Sequence, residues 1–204
     1  MGTTKLNLYG AGGHGRVIVD IIRRLGWEIG VIYDDDEGLT SLDSIPVVPA
    51  KYLDVSQALL LAIGDNYTRH TICERLQHED LLYPVLIDPS AIVSGKALID
   101  RGTVVMQGAV IQAGTKIGEH CIVNTGAVVD HDVKISDFVH VAPNATVCGG
   151  VEIGEETLIG AGTCVIPGVK IGARCIVGAG SVVVDNIPEN VMAFGNPCRI
   201  FKKM

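Results

Sequence analysis

The sequence predicts two unlike halves: an α/β domain of the mononucleotide-binding type over residues 1–86, then an all-β parallel helix of six-residue repeats over residues 87–188, with a tail at 189–204. Three observations carry this. From Ile87 to Val183 every sixth residue is Ile or Val, 17 hexads without interruption. A glycine turn, Gly10-Ala11-Gly12-Gly13-His14-Gly15, separates a short apolar run from an amphipathic one. The 204 residues hold 26 Val and 22 Ile against 15 Leu, with 25 Gly and only nine aromatics, a β-branched and ring-poor composition that suits extended backbone and tight corners.

In the first domain, Leu6–Tyr9 reads as a short apolar strand, and Arg16–Leu25 has the spacing of an amphipathic helix closed by Gly26. Ile29–Tyr33 is a second strand ending in Asp34-Asp35-Asp36. Leu59–Ile63 is a third, followed by Gly64-Asp65-Asn66. Tyr67–Gln77 reads as a helix and Tyr83–Ile87 as the strand that enters the repeats. Strand, glycine turn, helix, strand is a small Rossmann-like unit.

In the second half, the residue four places after each key Ile or Val is mostly small: Ala91, Ala97, Thr103, Ala109, Thr115 and so on. A period of six without helical periodicity describes a strand and a corner repeated, each coil stacking on the last at about 4.8 Å. With three hexads per coil, residues 18 apart lie one above the other.

Length is ample for a real core without disulfide or metal. A net charge of −7 with no clustered basic face argues against nucleic acid as the main partner. The six cysteines (Cys73, Cys121, Cys148, Cys164, Cys175, Cys198) form no C-x-x-C pair, and Met1 to Lys5 lacks the order of a signal peptide. They read as buried, reduced thiols in a cytoplasmic protein. No run of about 18 apolar residues offers a membrane span.

Gly10, Gly12 and Gly15 match G-x-G-x-x-G between a strand and a helix, where missing side chains let a diphosphate approach the helix N-terminus. A dinucleotide enzyme needs a second mononucleotide half, which 86 residues do not provide, so the turn reads as holding one nucleotide diphosphate, with Gly12, Gly13 and His14 nearest it. Asp34 and Asp35 end a strand where a carboxylate can accept from ribose hydroxyls or a base N–H; a solvated acidic turn is the alternative. Gly64 stands at the same sheet edge.

In the repeats, His131 and Asp132 occupy corner positions and point away from the interior, and a carboxylate beside an exposed imidazole orients it as a general base. The bland alternative is a pair of polar corner residues. A separation of 18 places Gly149 over His131 and Gly150 over Asp132, and a glycine leaves its N–H approachable as an oxyanion donor. His140 lies on the neighbouring side of the coil, reaching the same cleft only around a corner or across a subunit interface. His70 and His78 read as helix-surface residues, His120 as structural, and Cys148 as an inert thiol.

Together the Gly10–Gly15 turn, Asp34-Asp35, the hexads, Asn124, His131-Asp132, His140 and the closing Gly195-Asn-Pro-Cys-Arg199 resemble the hexapeptide-repeat bacterial UDP-amino-sugar N-acetyltransferases, relatives of the sialic acid O-acetyltransferases. The resemblance implies a left-handed, triangular β-helix and a homotrimer with acetyl-CoA, a co-substrate rather than a resident cofactor, between subunits. It implies transfer of the acetyl group to the 4-amine of a UDP-linked amino-deoxy sugar. His131 is then the base, Asp132 its partner in place of the Glu of many relatives, and His140 a contact of the acetyl donor. Asn124 lines the site, and the Gly149 N–H faces the thioester carbonyl. Cys198 replaces the usual Ala of the closing motif. O-acetylation of a sugar hydroxyl is the nearest alternative. A zinc hydratase using His120, His131 and His140 fits poorly at spacings of 11 and 9, so no metal is expected. A purely structural or binding solenoid is the remaining rival.

Overall fold

A computed structural model describes residues 5–76 and 81–204; His78 lies outside the described residues. The first domain is β1 (Lys5–Tyr9), α1 (Gly13–Arg24), β2 (Glu28–Asp34), a hairpin of β3 (Ser41–Leu42) and β4 (Ile45–Pro49), then β5 (Leu59–Leu61) and α2 (Asn66–Leu76). The sheet order is β3-β4-β2-β1-β5, parallel except for the hairpin. Because β1 has β2 on one side and β5 on the other, chain order reverses at its C-terminal end, where open α/β sheets bind ligands. The glycine turn sits there. Helix α1 starts inside that turn, three residues earlier than the apolar spacing suggests, and the hairpin has no counterpart in the sequence reading.

Ile18, Val19, Ile21 and Ile22 of α1 are buried with Leu6 and Leu8 of β1. Arg23 and Arg24 face the C-terminal end of the helix dipole, and Gly26 closes the helix with φ +69°.

From Leu86 the chain forms two-residue strands stacked in parallel with a register of 18, Ile122 against His140 and Val110 against Val128. Three hexads therefore make one coil of a left-handed, three-sided β-helix. The first face runs through strands 86–87, 104–105, 122–123, 140–141, 158–159 and 176–177. The second begins at 92–93 and the third at 98–99. The key Ile and Val residues and the small residues four places on fill the prism. Residues 189–204, expected as a tail, return as a strand at Val191–Phe194 on the first face and an antiparallel strand at Arg199–Lys203. Only Leu86–Ile87 of the expected 83–87 strand is extended into the ladder.

From residue 102 to 180 every sixth residue has a positive φ. Gly fills eight of these corners: 102, 108, 114, 126, 150, 162, 168 and 180. His120, Asp132, Phe138, Asn144, Glu156 and Arg174 fill the other six. A Cβ in this conformation costs roughly 1 kcal/mol or more, least for Asn and Asp, so His120, Phe138, Glu156 and Arg174 are retained against a local preference.

The α/β domain docks on the first face: Leu86, Val104, Met106 and Ile122 share a core with Leu6, Leu8 and Ile18. The Arg24 guanidinium pairs with the buried Asp88 carboxylate at 3.0 Å. None of the described helices is long and apolar enough to cross a membrane.

Candidate active site

The corner after the 128–129 strand presents His131 and Asp132, whose side chains are 63% and 73% exposed. His131 Nδ1 lies 2.9 Å from Asp132 Oδ2. That bond raises the imidazole pKa above its ordinary 6.5, and the Asp130 carboxylate adds to it. The coil above sits as the register requires. A Cβ built on Gly149 would lie 2.7 Å from His131 Cε1 and Nε2, so only glycine lets the ring lie flat against that backbone. The coil below matches: a Cβ on Gly114 would strike the Asp132 carboxylate. The Gly149 N–H enters none of the hydrogen bonds found among the described residues. His131 thus has one nitrogen on a carboxylate and the other beside an available backbone donor, the arrangement a general base with an oxyanion donor requires.

In the glycine turn the three motif glycines divide by cause. Gly10 has φ +117° and a Cβ there would meet Ala62 O at 2.7 Å; a Cβ on Gly15 would strike the Gly10 carbonyl. Those two serve the fold. Gly12 and Gly13 have nothing within 4 Å of such a Cβ, so no contact among the described residues requires glycine there; their bare backbone is accessible to a ligand at the helix N-terminus.

Asp34 and Asp35 are more committed than free ligand acceptors. Asp34 Oδ2 accepts from the Ala11 N–H at 2.7 Å and Oδ1 from the Asp36 N–H at 2.9 Å, which pins the glycine turn to β2. Asp35 accepts from the Tyr9 hydroxyl at 2.6 Å and from Arg75 at 3.0 Å, and remains half exposed in a groove beside Lys51.

His14, expected at a phosphate, turns inward instead: its Nε2 is buried with no partner among the described residues and its side chain lies against Gly64. Burial and the neighbouring His140 and Arg69 lower its pKa to about 3. His70 is no free surface residue either. It stacks on Phe138 at 4.3 Å and pairs with Glu156 across the domain junction.

His140 projects from the first face into that junction. Asn124 Oδ1 accepts from the Thr125 N–H at 2.7 Å, which leaves the Asn124 amide to donate to His140 Nε2 at 2.9 Å. Burial and Arg69 lower the His140 pKa to about 4, against a backbone hydrogen bond to Gly64 that raises it. Above the ring a cavity of about 280 Å³ runs past Gly64, Leu158, Ile176 and Met204. His120 is fully buried, its Nε2 3.4 Å from Cys73 Sγ. Among the described residues no group of three His, Cys, Asp or Glu is placed to hold a metal ion.

Both halves of the chain match known families. Residues 5–76 match the PglD N-terminal domain and residues 150–185 the six-repeat bacterial transferase hexapeptide model. The UDP-N-acetylbacillosamine N-acetyltransferase of Bacillus subtilis (strain 168) is 43% identical over 107 residues, 48% of this chain and 50% of that protein; the match spans half of that relative's length. The acetyltransferase domain of PglB from Neisseria gonorrhoeae FA1090, solved in complex with acetyl coenzyme A, is 39% identical with a TM-score of 0.91, covering 98% of this chain and 100% of that one. The chain belongs to the PglD-type hexapeptide-repeat acetyltransferases. A variant of GDP-perosamine N-acetyltransferase from Caulobacter crescentus, in complex with CoA and GDP-perosamine, is 36% identical with a TM-score of 0.91, covering 100% of this chain and 98% of that one.

Within this PglD-type chain, sequence reasoning missed Arg69, Phe138 and Glu156, which join the two domains. A signal existed for the last two: they interrupt the six-residue recurrence of corner glycines, as His120 and Asp132 do.

Proposed function

We propose that the protein transfers the acetyl group of acetyl-CoA to the 4-amine of a nucleotide-linked amino-deoxy sugar, with UDP as the foremost carrier. The observation that carries the reading is the contact of His131 with Gly149 while Asp132 holds the other ring nitrogen. The amine nitrogen attacks the thioester carbonyl carbon, the Gly149 N–H stabilises the oxyanion, and His131 takes the amine proton. The C–S bond then breaks and the proton passes to the departing thiolate. No acyl-enzyme is required. The open backbone of Gly12 and Gly13 would take the diphosphate, with Asp35 and Gly64 near the nucleotide and the sugar.

His131 stands at a corner after the second face, whereas His140 and Asn124 stand at the first. Outward residues Ile92, Val110, Val128, Thr146, Cys164 and Val182 make the second face apolar, in contrast to Lys116, Lys134, Glu152 and Lys170 on the third. This supports a homotrimer in which the second face of one copy meets a neighbour and His131 shares an acetyl-CoA cleft with the neighbour's first face.

Thiol release from acetyl-CoA, measured against UDP- and GDP-linked 4-amino sugars and against sialic acid, tests the assignment. Turnover with an amine acceptor is expected, and His131→Ala should lower kcat by about 10²–10⁴-fold with acetyl-CoA binding retained. Turnover confined to the hydroxyl acceptor, or near wild-type kcat in His131→Ala, would overturn it.

A further inference from the structure

Arg69 is 1% exposed, and among the described residues no carboxylate forms an ion pair with it. Its guanidinium donates from Nε to His120 O at 2.8 Å and from Nη1 to Ile63 O at 2.9 Å and Gly64 O at 3.3 Å. Nη2 donates to Asn66 Oδ1 at 2.8 Å and Phe138 O at 2.9 Å. Two of these acceptors are solenoid corners and two are the loop after β5, so one side chain staples that loop to the residues leading into His140. All five acceptors are neutral oxygens, so the staple uses the donors of the guanidinium and none of the acceptors neutralises its charge. The retained positive charge therefore has an electrostatic consequence for its neighbours. Asp65 and Glu156 lie nearby, but Asp65 Oδ1 is held by Thr68 and Glu156 by His70.

We propose that Arg69 is a positioning residue for His140: it holds the Gly64 carbonyl against the ring and keeps the imidazole uncharged, with the proton on Nδ1 and Nε2 as an acceptor. The role of His140 in acetyl transfer rests on the function proposed above; the protonation state does not. Each element packed on the ring fits. Asn124 from the coil below donates to Nε2, and Gly64 from the loop after β5 is hydrogen-bonded to the ring by its backbone. His14 of α1 is a second imidazole held neutral by burial, and Glu156 and Arg174 line the cavity above. A second positive charge on His140 would be repelled by the buried Arg69 guanidinium, which agrees with the direction of its pKa shift. Lysine offers the charge without the planar fork, so the two halves of the role are separable.

Imidazole ¹⁵N NMR on the whole chain tests this without substrate. In the native protein His140 is expected as the Nδ1–H tautomer at neutral pH, uncharged down to about pH 5, and an Nε2–H tautomer or an ordinary titration near 6.5 would overturn the proposal. In Arg69→Met the His140 midpoint should rise by about one unit or more while His131, remote and exposed, stays put; an unmoved His140 in folded Arg69→Met would overturn it. Should that variant fail to fold, Arg69→Lys is expected to keep the low midpoint, and a midpoint near 6.5 there would equally overturn it. Acetyl-transfer assays on the same samples then separate failure of this inference from failure of the proposed reaction.

Discussion

Replacing Gly149 with alanine adds one carbon and two hydrogens, yet the His131 ring occupies the space that carbon needs. The added Cβ would lie 2.7 Å from Cε1 and Nε2 and 3.3 Å from Cδ2, about 0.7 Å inside ordinary contact distance. The backbone at 149 is packed in the coil and φ is not in the left-handed region, so the exposed ring yields rather than the solenoid. Tilting it away breaks the 2.9 Å contact with Asp132 and moves the basic nitrogen from the N–H that would bind the oxyanion. Misplacing a reacting group by 1 Å can cost about 10²-fold, so kcat should fall roughly 30–100-fold, or ~2–3 kcal/mol of activation free energy. Alanine keeps the N–H, so the loss reports ring position and not a missing donor. Thiol release at saturating acetyl-CoA measures it, and Tm should stay within about 2 °C of wild type because the ring is free to move. A kcat within threefold of wild type would refute the claim that the His131–Gly149 contact organises the chemistry.

Gly12→Ala meets no atom within 4 Å, so folding should be unaffected while KM for the nucleotide sugar rises about tenfold or more; an unchanged KM would remove the diphosphate from this turn. Asp132→Asn suits the corner, since asparagine tolerates φ +58°, but removes the carboxylate that raises the His131 pKa. The base must be neutral to act, so the acidic limb of kcat/KM should move to lower pH, and a limb that stays put would detach Asp132 from the titration. Stability should also fall on mild acidification. His14, His120 and His140 have folded pKa values of about 3, 4 and 4 against 6.5 unfolded, so below 6.5 the unfolded chain binds more protons. Stability is then complete above about pH 6.5 and lost towards pH 4, at most about 6 kcal/mol between pH 7 and pH 5. His131, with a raised pKa, acts in the opposite sense but is exposed and screened. A urea midpoint unchanged from pH 7 to pH 5 would contradict the buried neutral imidazoles.

The parts of this molecule that obey a one-dimensional rule were legible before any coordinates. Counting the period of six identifies the inward Ile and Val, and with the three hexads per coil that the family resemblance implies, residue i touches i + 18 and Gly149 falls against His131. The docking of the α/β domain on the first face obeys no such rule. Nothing local in Gly-Gly-His-Gly says that His14 turns away from the helix N-terminus towards Gly64, because that depends on which solenoid face lies beneath α1. Asp34 likewise looks like a ligand acceptor until the fold brings the Ala11 N–H within 2.7 Å. Arg69 carries no motif at all; its acceptors are backbone carbonyls, which every residue has.

The corner glycines connect these two kinds of information. A left-handed φ every six residues makes glycine the low-cost choice, so a chain selected only for stability would place glycine or asparagine at all of these corners. Four of the residues that depart from glycine serve purposes a glycine cannot. Asp132 orients the exposed imidazole; His120 and Phe138 stack on each other at 5.3 Å beneath α2, and Phe138 carries His70; Glu156 holds His70 from the coil above. Asn144 belongs with glycine as a residue that tolerates the conformation, and Arg174 reaches the Asn190 side chain at 2.8 Å near the C-terminal end. The strained corners therefore concentrate where the solenoid meets the α/β domain and at the exposed His131–Asp132 pair. Local cost of this kind persists only when surrounding contacts over-determine it, and here those contacts hold α2 on the first face and Asp132 on the His131 ring.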